Sequence, residues 1–199
     1  RALVIRPVVV FADEPTGSLD QHNGHQALRL LIESTTRQQA ALVIVTHDPE
    51  EAMILGDRIA LLRRGRIAQI DSADQIYRNP VDLSAARFLS PLSEIEAVVR
   101  GGAATTPLGT VPADGFGEGS RVVVAVRPVG AIDMTLSGPG VPGRIVARHH
   151  AIGTDLCEIR VDGLDQPVEI RQRSDPGFAP GADVYLSLNR EHILVFAKD

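Results

Sequence analysis

One cysteine, Cys157, is all that the 199 residues contain. A disulfide framework within the chain is excluded, and this usage fits a reducing compartment. A lone cysteine is most often a small buried hydrophobe. Long apolar runs are missing as well: none approaches the ~20 residues that a membrane-crossing helix needs. No stretch reads as a signal peptide. Positive charge is in deficit, with 20 Lys and Arg against 25 Asp and Glu and a formal net charge of −5. Nucleic acid, which is held by a basic surface, is therefore not an expected partner. The motif G-x-x-x-x-G-K-[ST] does not occur either. These residues thus lack the amide cradle and lysine that hold β and γ phosphates. What remains is an ordinary globular composition, 44% hydrophobic and 23% charged. The length suffices for one large or two small domains with cores of their own.

The chain is organised around Val8-Val9-Val10-Phe11-Ala12-Asp13-Glu14-Pro15, followed by Thr16-Gly17-Ser18-Leu19-Asp20. A short, nearly unbroken apolar run is what a parallel strand buried on both faces looks like. Asp13 and Glu14 close it at the carboxyl edge of the sheet, where open α/β sheets bind their ligands. Pro15 stops the strand, because it cannot donate to a ladder. Neighbouring strand residues point to opposite faces, so the two carboxylates are expected to do different work. One suits a magnesium ion held through water. The other suits an attacking water, which it polarises as general base. Residues 21 to 36 read as a helix, with Ala27, Leu28, Leu31 and Ile32 covering one face and Asp20 as N-cap. His22 and His25 are expected to face solvent, with no third ligand beside them to make a metal site. Ala41 to Thr46 is a second buried strand, and His47 lies at its end. Asp48 caps a short helix with Pro49 at its first position, and Gly56 ends it.

As a set, Asp13-Glu14-Pro15, Gly17-Ser18-Leu19-Asp20 and Ile44-Val45-Thr46-His47-Asp48 resemble the ATP-binding subunit of an ABC transporter. The resemblance implies that Asp13 is the Walker B aspartate, which helps hold Mg through water, and that Glu14 is the catalytic glutamate. It implies that Asp20 belongs to the D-loop and that His47 is the switch residue contacting the γ-phosphate of ATP. Arg1-Ala2-Leu3 resembles the tail of the helix after the family's signature motif. The Leu-Ser-Gly-Gly-Gln signature itself does not occur. The expectation is the carboxyl-terminal portion of a longer ATPase, inactive alone; the rival is a complete but degenerate protein.

Further along, residues 58 to 62 and 66 to 70 read as two strands about a turn at Arg63-Arg64-Gly65. Asp57-Arg58-Ile59 and Gly65 match the hairpin that closes the ATPase core in the family. Gln75-Ile76-Tyr77-Arg78-Asn79-Pro80 resembles the Ile-Tyr-x-x-Pro segment of importer ATPases, and residues 85 to 89 read as a last helical turn. Thr16-Gly17 departs from the importers' usual Leu-Ser and is closer to lipoprotein-release and macrolide-export relatives.

From about Ser90 glycine and proline rise and helical periodicity disappears. Apolar runs at 121 to 126, 143 to 148, 156 to 161, 168 to 170, 184 to 188 and 193 to 196 recur between turn signals, the pattern of a small β-barrel or sandwich. Arg127-Pro128 resembles the Arg-Pro-Glu element of TOBE-type regulatory domains, with Val129 in place of the glutamate. Thr106-Pro107-Leu108-Gly109, Gly143-Arg144-Ile145-Val146 and Gly153-Thr154-Asp155 fit the same pattern. His149-His150 with Asp155, Cys157 and Glu158 invites a metal-sensor reading. Adjacent strand residues face opposite ways, however, and a solvated turn is expected instead. Arg171 and Arg173 share a strand face that could meet an anion, though such a pair is more often solvated.

The expected fold is therefore α/β over residues 1–90, part of a P-loop NTPase core with parallel strands and helices, then a small all-β OB/TOBE-like barrel over residues 91–199. The expected function is ATP hydrolysis in a bacterial ABC importer. Ferric iron is the leading substrate, with spermidine/putrescine or sugar as alternatives; a non-catalytic regulatory protein with a degenerate ATPase half is the other reading. The resemblance implies ATP and Mg, a homodimer of ATPase subunits and membrane permease subunits. A periplasmic substrate-binding protein is implied indirectly, and the place is the cytoplasmic face of the bacterial inner membrane.

Overall fold

The computed structural model describes residues 7–17, 21–151 and 153–198; the side chains of Gln21, His22 and His25 are not described. Two compact units divide the chain, Arg1–Tyr77 and Arg78–Asp199.

In the first unit β1 (Val9–Asp13) pairs in parallel with β2 (Ala41–Val45), in the register Val9 to Ala41 through Asp13 to Val45. The crossover is α1 (Gln21–Arg37), the element a parallel pair requires because no tight turn can join two strands running the same way. Leu28 on α1 is buried, and Thr35 closes the helix by donating its hydroxyl to the Leu31 and Ile32 carbonyls. α2 (Pro49–Leu55) follows β2; Asp48 accepts from the Glu50 and Glu51 amides, satisfying two donors that a helix start leaves unpaired. Gly56 ends α2 without entering the left-handed region. A side chain there would meet the Ala52 carbonyl at 2.9 Å, so close packing selects the glycine. β3 (Ile59–Arg63) and β4 (Arg66–Asp71) form an antiparallel hairpin. Its two turn residues, Arg64 and Gly65, both have positive φ, at 50° and 72°, as a two-residue hairpin demands. α3 (Ala73–Arg78) buries Ile76.

The sequence suggests strands covered on both faces, and here the structure differs. Val10 is buried, whereas Val9, Phe11, Val43 and Val45 on the opposite face are exposed, Phe11 to 76%. Among the described residues only one face of this pair is covered, so the unbroken apolar pattern records a deeper burial than these residues provide.

The second unit opens with α4 (Leu83–Leu89), capped by Asp82, and is otherwise built of β-strands apart from a short 3-10 turn at Arg190–His192. β5 (Ser93–Arg100), β6 (Ala103–Thr106), β7 (Gly109–Pro112), β8 (Arg121–Val126) and β14 (Ile193–Ala197) form one antiparallel sheet in the order β14-β8-β5-β6-β7. β9 (Ile132–Thr135), β10 (Val141–Ala151), β11 (Thr154–Val161), β12 (Val168–Arg173) and β13 (Asp183–Leu188) form the other, in the order β12-β11-β10-β13-β9. One core serves both: Val99, Val111, Val122 and Val124 from the first sheet, Ile145, Ile159, Ile170 and Leu186 from the second. The period-2 pattern is plain in β11, where Asp155, Cys157, Ile159 and Val161 are buried and the residues between them are not. Sequence had marked β8 and β10 through β14; β5, β6, β7 and β9 are additions.

Gly143 on β10 lies against the Ile159 side chain of β11: an added Cβ would stand 2.7 Å from Ile159 Cγ2. Gly143→Ala is expected to destabilise the protein by about 1–3 kcal/mol through overpacking. At Gly117 an added Cβ would meet only Ser120 Oγ, at 3.8 Å, and Gly117→Ala should stay within about 0.5 kcal/mol. Urea unfolding of both variants checks this, and equal costs would contradict the close-approach account.

Candidate functional site

Two strands ending side by side set the geometry. Glu14 leaves β1 with its amide still bonded to the Val45 carbonyl at 2.9 Å. Its backbone then enters the left-handed region, φ 43°, a conformation that costs a non-glycine residue about 1–2 kcal/mol. Pro15 and Thr16 complete a turn closed by the Gly17 amide on the Glu14 carbonyl, 3.1 Å. Across the strand pair, Thr46 Oγ1 accepts from the Asp48 amide at 3.0 Å, and His47 stands between the end of β2 and the cap of α2. His47 Nε2 lies 3.4 Å from Glu14 Oε1. The carboxylate is partly covered and the imidazole side chain is 93% exposed. That Glu14 oxygen is buried and accepts no hydrogen bond among the described residues. Asp13, last in β1, is exposed.

The structure thus brings Glu14 and His47 together and sets Asp13 beside them in sequence at the same sheet edge. Asp20 lies outside the described residues. Chemically, an acceptor oxygen facing an exposed imidazole, with a second carboxylate one residue away, can orient a water and approach a cation. One contact escaped the sequence reading. Thr16 donates its hydroxyl to Glu51 Oε1 at 2.9 Å, from the turn after Glu14 to the first turn of α2. The partners are 35 residues apart, and no local signal announces them.

The second cluster, at the β10–β11 hairpin, corrects an expectation. The solvated turn expected there holds a carboxylate, Asp155, that is only 1% exposed. Arg148 Nη2 lies 2.6 Å from its Oδ2, and His150 Nδ1 is 2.7 Å from its Oδ1. Burial pushes this carboxyl up, but hydrogen bonds from His150, Arg148 and Ser174, with the Arg148 charge, hold it below its ordinary value on balance. His149, on the other face, pairs with Glu158 at 3.1 Å. Cys157 is buried, and burial first, then the nearby Asp155 charge, raise its thiol. Among the described residues no three His, Cys, Asp or Glu side chains are grouped to hold a metal ion. Arg171 and Arg173 are both exposed.

No protein-family profile matches the chain. Over 185 residues, 91% of this chain and 53% of the relative, it is 31% identical to an Fe(3+) ions import ATP-binding protein of Rhodococcus jostii. Over its whole length it aligns at 26% identity with the glucose import ATP-binding protein of Saccharolobus solfataricus, covering 57% of that protein. The chain spans about half the length of the relatives it matches. Among solved structures, the cytoplasmic molybdate-binding protein ModG aligns with 53% of this chain and 96% of its own, at 12% identity and a TM-score of 0.41; so slight a likeness carries nothing about ligand or function.

Because Asp155 is held below its ordinary value of 3.8, its stabilising contribution is full above that value. It is lost as the pH falls through the lower folded value. Asp155→Asn should therefore be less stable near neutrality and show a shallower acid limb of stability against pH, measured by urea unfolding from about pH 6 to 2. A slope identical to that of the parent chain would remove Asp155 from the acid response.

Proposed function

We propose, from the premise that this chain's homologues are the ATP-binding subunits of ABC importers, that residues 1–90 form the hydrolytic wall of such a subunit's nucleotide site. Residues 91–199 would be its TOBE-like regulatory barrel. Within the first part the parallel β1–β2 pair would belong to a P-loop NTPase core. The observation that carries the reading is the 3.4 Å approach of His47 Nε2 to Glu14 Oε1 at the ends of adjacent parallel strands.

The residues present fit the chemistry. Glu14 Oε1 is a buried acceptor without a hydrogen bond among the described residues, suited to take a proton from a water aligned on phosphorus. His47, exposed and facing that oxygen, would contact the γ-phosphate and hold the same water from its other side. Asp13, at the sheet edge, would hold magnesium through water, and Asp20 would report across a dimer of such subunits. Magnesium, when bound, offsets the negative charge on the phosphates. General-base work of this kind is worth roughly 10²–10⁴ in rate. The phosphate loop would come from elsewhere in a full-length polypeptide, so these 199 residues should not hydrolyse ATP alone. Permease subunits, a second ATPase subunit and the cytoplasmic face of the inner membrane complete the proposal. Ferric iron leads among substrates, supported by the name of the Rhodococcus jostii relative; a sugar is the alternative, on the name of the Saccharolobus solfataricus one.

In a full-length protein carrying this chain, Glu14→Gln should leave ATP binding intact and lower hydrolysis by roughly 10²–10⁴. Equilibrium nucleotide binding and phosphate release measure the two. Normal turnover in that variant would remove Glu14 from the chemistry and the reading with it.

A further inference from the structure

Glu14 holds a left-handed backbone, φ 43°, and such conformations persist only where surrounding structure fixes them. Two of the contacts that fix it are backbone bonds, Glu14 amide to Val45 carbonyl and Gly17 amide to Glu14 carbonyl. The third is a side-chain bond, Thr16 Oγ1 to Glu51 Oε1. Glu51 sits in the first turn of α2, three residues after the Asp48 cap whose carboxylate takes its amide at 3.2 Å. His47 immediately precedes that cap. The contacts therefore close a ring: Glu14 through its turn to Thr16, Thr16 to Glu51, Glu51 through the cap to His47, and His47 back to Glu14. Packing alone does not account for Glu51. Its second oxygen, Oε2, is buried without a hydrogen bond among the described residues, an arrangement that is costly for a carboxylate. Its first oxygen makes a hydroxyl-to-carboxylate bond, of the stronger, charge-assisted kind.

We propose that Glu51, acting through Thr16, is a positioning residue that fixes the Glu14 carboxylate against the His47 ring. The inference rests on the reading of Glu14 and His47 as the hydrolytic pair. Glu51 acts on the turn through Thr16; it prevents the turn after β1 from drifting away from α2. In sequence Thr16 stands out only as a departure from the importers' usual leucine. The structure gives its hydroxyl a task that a leucine at that position could not perform.

The test removes either end of the bond and then restores it. In a full-length protein, Thr16→Val and Glu51→Ala should each lower kcat about three- to tenfold, the range expected for one hydrogen bond. KM for ATP should stay within about twofold, because ground-state binding is untouched. The double variant should be no worse than the poorer single one, since both remove the same contact, and Thr16→Ser should restore kcat. A raised KM with unchanged kcat, multiplying losses in the double variant, or no rescue by Thr16→Ser would overturn the proposal. Glu14→Gln separates the two levels. If it stalls hydrolysis while Thr16→Val and Glu51→Ala turn over normally, only the positioning role fails; if it turns over normally, the hydrolytic reading fails and the proposal with it. In the 199-residue chain itself, the His47 ring resonances should move in Thr16→Val and Glu51→Ala and return in Thr16→Ser. Unmoved resonances in chains with unchanged thermal midpoints would also overturn it.

Discussion

Everything at the candidate site follows from the in-register parallel pairing of β1 with β2. Val9 opposite Ala41 at one end puts Asp13 opposite Val45 at the other, so both strands give out at the same edge within one residue. The ladder runs one bond further, from the Glu14 amide to the Val45 carbonyl. A slip of one residue would turn every side chain of β1 to the other face, separating the Glu14 carboxylate from the His47 imidazole. Register in turn rests on Val10 facing inward while Val9 and Phe11 do not, which makes a hydrophobic choice the source of a polar geometry.

The second unit meets a different constraint. Two five-stranded sheets share one aliphatic core, and a carboxylate is admitted to its margin only with partners. Asp155 has Arg148, His150 and Ser174, enough to offset the loss of water that burial imposes. Arg148 also reaches the Phe178 carbonyl, at 3.3 Å, so the same guanidinium joins the hairpin to the loop before β13. Polar satisfaction here is a matter of stability, with a direct acid dependence.

What sequence disclosed and what it hid divide along physical lines. Local signals served well: the Asp48-Pro49 start of α2, the Arg64-Gly65 hairpin turn and the apolar runs of β1, β2, β8 and β11 are each written in a few adjacent residues. The proximity of Glu14 and His47 was legible because strand-end residues of adjacent parallel strands must lie close. β6, β7 and β9 are four residues each, too short for a period to declare itself. β5 was readable in principle, with Ile95 and Val99 buried among exposed glutamates, but it sits where the composition changes. The Thr16–Glu51 bond spans 35 residues and leaves no periodic trace. Asp155 looked solvated because turn residues surround it. Its partner Arg148 lies just past a bulge between Ile145 and Ala147, and a shifted register cannot be counted from the chain alone.

The single thiol has a practical meaning. Cys157 is fully enclosed by the shared core and its ionisation is suppressed, so an alkylating reagent finds neither access nor thiolate while the sheets stay closed. Labelling then becomes a clock for opening of the β-rich unit: the chain carries its own reporter at one interior point. Cys157 pairs with Arg148 on β10 and with Ile170 on β12, the edge strand of its sheet, so that reporter reads the peeling of β12 from β11 as well as the parting of the two sheets.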